Sequence, residues 1–119
     1  MGMDEARRIA SLLEELRAQP RRDFVDLKEF PVEHGVYVIY GPSVSVLYVG
    51  LSKGDKNGLR GRLKGHLHGK SRLAPSPAAG KKLKEGYSVR YLVVKDTRER
   101  ALLEHLATGV LCPSVLGTG

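Results

Sequence analysis

The sequence predicts an α+β fold: a three-stranded antiparallel sheet flanked by helices, with an extra helix at the N-terminus. Three observations lead there. At 119 residues and 41% hydrophobic content, the chain is large enough for one modest core. Apolar residues recur at helical spacing in long stretches and crowd into alternating runs in short ones. Gly and Pro punctuate the boundaries, with no internal repeat, low-complexity tract or linker that would divide domains. The expectation is one domain over residues 1–119, with 1–31 as helix and connector and 32–116 as the core.

From Asp4 to about Arg17, Ile9, Leu12, Leu13 and Leu16 form one apolar stripe between charges, and Pro20 stops it. This is an amphipathic helix that docks on the core. A polar connector with Arg21, Arg22 and Pro31 leads to Gly35. Val36 to Tyr40 and Val46 to Val49, rich in β-branched and aromatic residues around Gly41-Pro42-Ser43, predict a β-hairpin. With the turn centred between Pro42 and Ser43, Tyr37 faces Tyr48 directly across the two strands and shares a sheet face with it.

After a loop through Gly54 and Lys56-Asn57-Gly58, Leu59, Leu63 and Leu67 predict a helix ending near Gly69. Gly61 and Gly65 count against it, at about 1 kcal/mol each relative to Ala. Arg72 to Gly80, with Pro75 and Pro77, predicts a loop followed by a short helix through Leu83. Tyr87 to Val94 alternates as a third strand. Asp96 to Val110 is a helix with Asp96 as N-cap, Glu99 three residues on, and Leu102, Leu103, Leu106 and Val110 on its apolar arc. Pro113 ends it.

The formal net charge is +7 and the isoelectric point about 9.8. The excess is uneven: residues 1–34 hold six Lys/Arg against eight Asp/Glu, and residues 51–72 hold seven against one. A basic middle suits a polyanion, because Lys and Arg release counterions from phosphates. The single Cys112 rules out an internal disulfide and a cysteine zinc pair. The longest apolar run is too short for a membrane span and the N-terminus is not a signal peptide, so a soluble, cytoplasmic protein with no membrane partner is expected.

Gly35-Val36-Tyr37 and Tyr48-Val49-Gly50, with ten residues between the tyrosines, resemble the paired motifs of the GIY-YIG nucleases. The resemblance continues through Leu59-x-x-Arg62-Leu63-x-x-His66 and through Ala101-Leu102-Leu103-Glu104 with Pro113 nine residues on, covering about residues 32–116 in order. It implies a GIY-YIG-like fold and an endonuclease that hydrolyses DNA phosphodiester bonds, in repair or recombination. It also implies a site built from Tyr37, Tyr48, Arg62, His66 and Glu104, and a partner that is double-stranded or branched DNA. The expected cofactor is one divalent ion, Mg²⁺ or Mn²⁺, on Glu104. The alternative is a nucleic-acid-binding module on the same fold that cuts weakly or not at all.

The chemistry asks for the same residue types. Cutting a phosphodiester needs an ordered water, a base for its proton and charge stabilisation on the phosphoryl oxygens. Glu104 offers oxygen to a hard cation, and Arg62 offers a planar fork to phosphate. A tyrosine serves as base at neutral pH only where positive charge stabilises its phenolate, and Tyr37 is the expected base with Tyr48 holding water or phosphate. Arg62 and His66, four apart, share a helix face at the core's edge. Glu104 falls beside the apolar arc and is expected to be the sole carboxylate on the metal, since Asp55 lies in a loop and Asp96 at a cap. Gly50, Lys53, Lys56, Arg60, Lys64, Lys70 and Arg72 are expected along the nucleic-acid path, as contacts that position rather than read sequence. His34, His68 and His105 are expected to be plain surface residues.

Two positions depart from the family pattern. Leu51 stands where many members carry lysine, with Lys53 close enough to replace it. Leu116 stands where an asparagine is frequent. No appended DNA-recognition domain is expected after Gly119.

Overall fold

A computed structural model describes residues 2–54 and 56–116. In chain order the elements are α1 (Gly2–Ala18), β1 (Arg22–Asp23), a 3-10 turn (Leu27–Glu29), β2 (Gly35–Tyr40), β3 (Val46–Leu51), α2 (Gly58–Leu67), α3 (Pro77–Lys82), β4 (Ser88–Val93) and α4 (Thr97–Leu111). The strands form one antiparallel sheet in the order β1-β4-β2-β3. The expected three strands are thus four. The addition, β1, is a two-residue pairing of Arg22 with Val89 and Asp23 with Ser88. Nothing local in Arg22-Asp23 favours a strand; tertiary pairing recruits it.

The sheet separates two cores. Val36, Val38, Tyr40 and Val49 face Ile9, Leu12, Leu13 and Leu16 of α1 and Leu103 and Ala107 of α4. Tyr37, Ile39, Tyr48 and Val89 face Leu59, Leu63 and Leu67 of α2, with Phe24 and Phe30 of the connector and Leu83 after α3. Because both faces of β2 are covered, all six of its residues are buried. The predicted stripe of α1 is the buried one. Arg98 pairs with Glu5 at 2.7 Å and Arg8 with Glu99 at 3.2 Å across the α1–α4 contact; being exposed, these pairs count for less than the leucines beneath them.

The hairpin register differs from the expectation by two residues. Tyr37 lies opposite Gly50 and Ile39 opposite Tyr48, with a bulge between Ile39 and Tyr40. The cause is the turn. Val44 N–H donates to Gly41 O, placing Pro42 second in a four-residue turn, and Val44 then adopts a left-handed φ of 66° before Gly41 N–H reaches Ser45 O. A one-residue slip would have sent one tyrosine to the other face; a two-residue slip keeps both on the same one.

At the start of α2, the amides of Leu59 and Arg60 donate to Glu33 O and Pro31 O, so the connector caps the helix. Gly61 has a reason here: a Cβ would meet Lys56 O at 2.0 Å. Gly65 has nothing within 4 Å of such a Cβ, and we have no account of it. Helix α3 begins before Gly80, earlier than expected. Ser76 Oγ accepts the Ala79 N–H and Pro77 occupies the first turn, a start signal that the neighbouring prolines disguised. Asp96 caps α4 through Glu99 N–H at 2.9 Å, while the Glu99 carboxylate turns to Arg8. No helix among the described residues is long and apolar enough to cross a membrane.

Candidate active site at the open edge of the sheet

Strand β3 is an edge, and only part of that edge is covered. The segment after α4 runs along it, with Ser114 N–H and Val115 N–H donating to Val46 O and Leu47 O at 3.2 and 2.8 Å. Beyond that strap, Tyr48 to Leu51 border a cleft of about 680 Å³. Arg62 enters it from α2 on one side of the sheet; Arg100, Glu104 and His105 enter from α4 on the other, with Lys53 at the rim. Two helices rooted in different cores therefore meet around one edge strand.

The tyrosines stand diagonally, with ring centroids 6.2 Å apart. Both are almost wholly buried, but only Tyr48 lines the cleft. Tyr37 lies behind it, over Gly50, a residue of the cleft wall. The backbone approach is so close that a Cβ on Gly50 would sit 2.5 Å from Tyr37 Oη, 2.6 Å from its Cζ and 2.9 Å from Tyr48 Cε2. Gly50 is thus held by packing rather than by turn geometry. Gly50→Ala is expected to lower unfolding free energy by about 1–3 kcal/mol, the usual cost of forcing a group into a filled core. Urea denaturation measures it, and a change under about 0.5 kcal/mol would reject the packing argument.

His66 does not sit at the core's edge as expected; it is fully buried. Its Nε2 shares a hydrogen bond of 2.7 Å with Tyr37 Oη, and its Nδ1 one of 2.6 Å with Ser71 Oγ. Its ring meets both tyrosine rings edge-on, at 5.6 and 5.2 Å. Burial, and next the charge of Arg62, push the His66 pKa down to about 3, so the ring is neutral at physiological pH. Burial also works against the Arg62 cation, but attraction and hydrogen bonding to Tyr37 and then Tyr48 outweigh it and raise the Arg62 pKa. The Arg62 Nε is buried and has no hydrogen-bond partner.

The Glu104 side chain is 17% exposed and has His105 Nε2 at 3.6 Å. Burial raises its pKa, opposed by His105 and Lys53. A carboxylate short of solvation, facing a cleft, fits a hard cation that retains most of its water. Among the described residues no three His, Cys, Asp or Glu side chains gather to make an all-protein cage. Glu104 is thus the one carboxylate the cleft offers, with Asp96 occupied at its cap and Asp55 outside the described residues.

Of the expected phosphate contacts, Lys53, Lys56, Lys64, Lys70 and Arg72 are exposed. Arg60 is not available in the same way. Its Nε donates to Phe30 O at 2.8 Å and its Nη2 to Lys28 O at 3.2 Å, so it clips the connector onto α2. His68 and His105 are exposed as expected, whereas His34 is half-buried and bonds Ser52 Oγ at 3.2 Å. Leu116 is exposed and does not line the cleft.

Sequence reasoning missed Ser71 and Arg100. Arg100 is 5% exposed in the cleft wall, its Nη1 donating to Val94 O at 2.9 Å and to Lys95 O at 3.3 Å. Its spacing of four from Glu104 was a signal, since such residues share a helix face. Ser71, in a polar turn, carried none. No protein-family model, curated protein or solved structure matches this chain.

Proposed function

We propose that this chain is a metal-dependent endonuclease of the GIY-YIG type that hydrolyses phosphodiester bonds in DNA. The main support is one arrangement: Arg62 against Tyr37 and Tyr48 on one side of a cleft, and Glu104 on the other. Each pairing alone has a structural explanation. A guanidinium facing two phenols across from a poorly solvated carboxylate does not need to exist for packing, and it matches what phosphoryl chemistry requires.

Arg62 holds the phosphate and opposes the charge that develops on its oxygens. It also favours the phenolate of the tyrosine beside it. Tyr48, at the cleft wall, orders the attacking water. Tyr37, whose oxygen lies just behind the cleft wall at Gly50, must reach past that wall to take the water's proton, while the water oxygen bonds to phosphorus and the bond to the leaving oxygen breaks. His66, with its pKa near 3, is too weak a base to take a phenol's proton and supports Tyr37 through its hydrogen bond. Glu104 holds the divalent ion, which when bound supplies Lewis-acid stabilisation of phosphate charge.

The exposed cations of α2 and the following turn act as sequence-independent contacts. Arg62→Ala is expected to lower nicking by roughly 10²-fold while changing DNA affinity only a few-fold, because its contact strengthens as charge develops. Lys64→Ala should do the reverse, weakening binding and lowering the salt slope by about one. Equal losses of binding and cutting for Arg62→Ala would remove its special role.

Supercoiled plasmid with Mg²⁺ tests the whole reading. Nicking that stops on chelation supports it. Retardation without nicking instead supports a binding module, the reading favoured by the apolar, exposed Leu116.

A further inference from the structure

The turn after α2 folds Ser71 back onto the helix it has just left. Ser71 Oγ accepts the Ala74 N–H at 3.0 Å and lies 2.6 Å from His66 Nδ1. A serine oxygen that accepts from an amide still has its own proton to donate. The nitrogen at 2.6 Å is the acceptor within its reach, and so short a contact suits an O–H donor better than an N–H donor. The reverse arrangement, with Nδ1–H donating to Ser71, would place two donors on the oxygen and turn the serine proton out toward solvent. In a neutral imidazole, an accepting Nδ1 leaves the ring proton on Nε2. That nitrogen is the one 2.7 Å from Tyr37 Oη.

We propose that Ser71 is a positioning residue that fixes His66 in its Nε2–H tautomer, so that His66 donates to the Tyr37 oxygen and stabilises the phenolate instead of accepting the phenol's proton. The catalytic consequence rests on the nuclease reading above; the tautomer does not. Among the described residues, Arg62 and Tyr48 are charged and titratable groups that face this pair. The Arg62 cation acts in the same direction as the Nε2–H bond, favouring a negative oxygen on Tyr37. Three groups on one helix and the turn after it thereby converge on one oxygen, since Ser71 orients His66, and His66 with Arg62 prepares Tyr37.

The direct test is nitrogen NMR of the full chain labelled in histidine, near pH 7. The expected spectrum has His66 Nε2 protonated and Nδ1 bare; a protonated Nδ1 overturns the proposal without any variant. Ser71→Ala should raise the Tyr37 titration midpoint, read from its labelled ring, by about one pH unit. The rise of the nicking rate with pH should move by the same amount, a loss of about tenfold at pH 7. Ser71→Thr, which keeps the hydroxyl, should restore both. An unchanged Tyr37 midpoint in Ser71→Ala, or an altered tautomer in Ser71→Thr, overturns the role of Ser71. If Ser71→Ala fails to fold, the wild-type tautomer and Ser71→Thr decide the question alone. A protein that shows the Nε2–H tautomer yet never nicks DNA sinks the nuclease reading and leaves the Ser71–His66 arrangement standing.

Discussion

Glu104→Gln is expected to reduce Mg²⁺-dependent nicking by about 10²-fold or more and to weaken Mg²⁺ binding in parallel. The substitution preserves shape and much of the hydrogen bonding but removes the charge a divalent cation needs, and among the described residues no second carboxylate lines the cleft to replace it. The variant should fold at least as well as the parent at neutral pH. Burial raises the Glu104 pKa, which means that the ionised form is disfavoured where it stands. A carboxyl with a folded-state pKa above its unfolded value favours folding below the ordinary range and loses that contribution as pH rises through the raised value. Once pH has passed that raised value the parent carries the penalty of a poorly solvated charge; the neutral amide does not. DNA binding should persist or tighten slightly, because a negative charge facing phosphate is gone. Plasmid nicking, Mg²⁺ titration and thermal unfolding of the same preparation check the three parts. A folded Glu104→Gln protein that nicks at the parental rate overturns the metal assignment.

The second large effect concerns acid stability and does not depend on any activity. His66 titrates near its ordinary 6.5 when unfolded and at about 3 when folded. Below 6.5 the unfolded chain takes up a proton that the folded chain refuses, so stability falls with pH down to about 3. Integrated over that interval the loss is roughly 5 kcal/mol, comparable to the whole stability of a small domain. The measurable part lies between pH 6.5 and 5, where carboxylates are still largely ionised and the expected slope rises from about 0.7 to about 1.4 kcal/mol per pH unit. His66→Gln will lower the baseline by disturbing the core, but its stability curve should be nearly flat across that window. Parallel curves for parent and variant would show that His66 is not held neutral.

The sequence reading was strongest where local pattern and tertiary environment agreed. Ile9, Leu12, Leu13 and Leu16 repeat at helical spacing, and all four are buried. Asp96 was legible as a cap because its chemistry is local. The shared face of Tyr37 and Tyr48 survived a wrong register only because the bulge and the left-handed Val44 moved the pairing by an even number. Burial of His66 was misjudged because spacing gives the face of a helix but not the depth of what packs on it. Arg60 could not be sorted from its basic neighbours by sequence, since its role is defined by the carbonyls of Phe30 and Lys28, about thirty residues away. Strand β1 was illegible for the same reason, its partner β4 lying far along the chain, whereas the Ser71–His66 contact is local and depends on how the turn after α2 folds back, which composition does not announce.

The division of the interior by the sheet has an outcome for the cell that would carry such a protein. Arg62 stands on a helix whose leucines belong to one hydrophobic cluster, and Glu104 on a helix whose leucines belong to the other. A nascent or damaged chain that has consolidated only one half holds the phosphate ligand without the carboxylate, or the carboxylate without the phosphate ligand. On the proposed reading, cutting therefore requires both halves to close on the same strand.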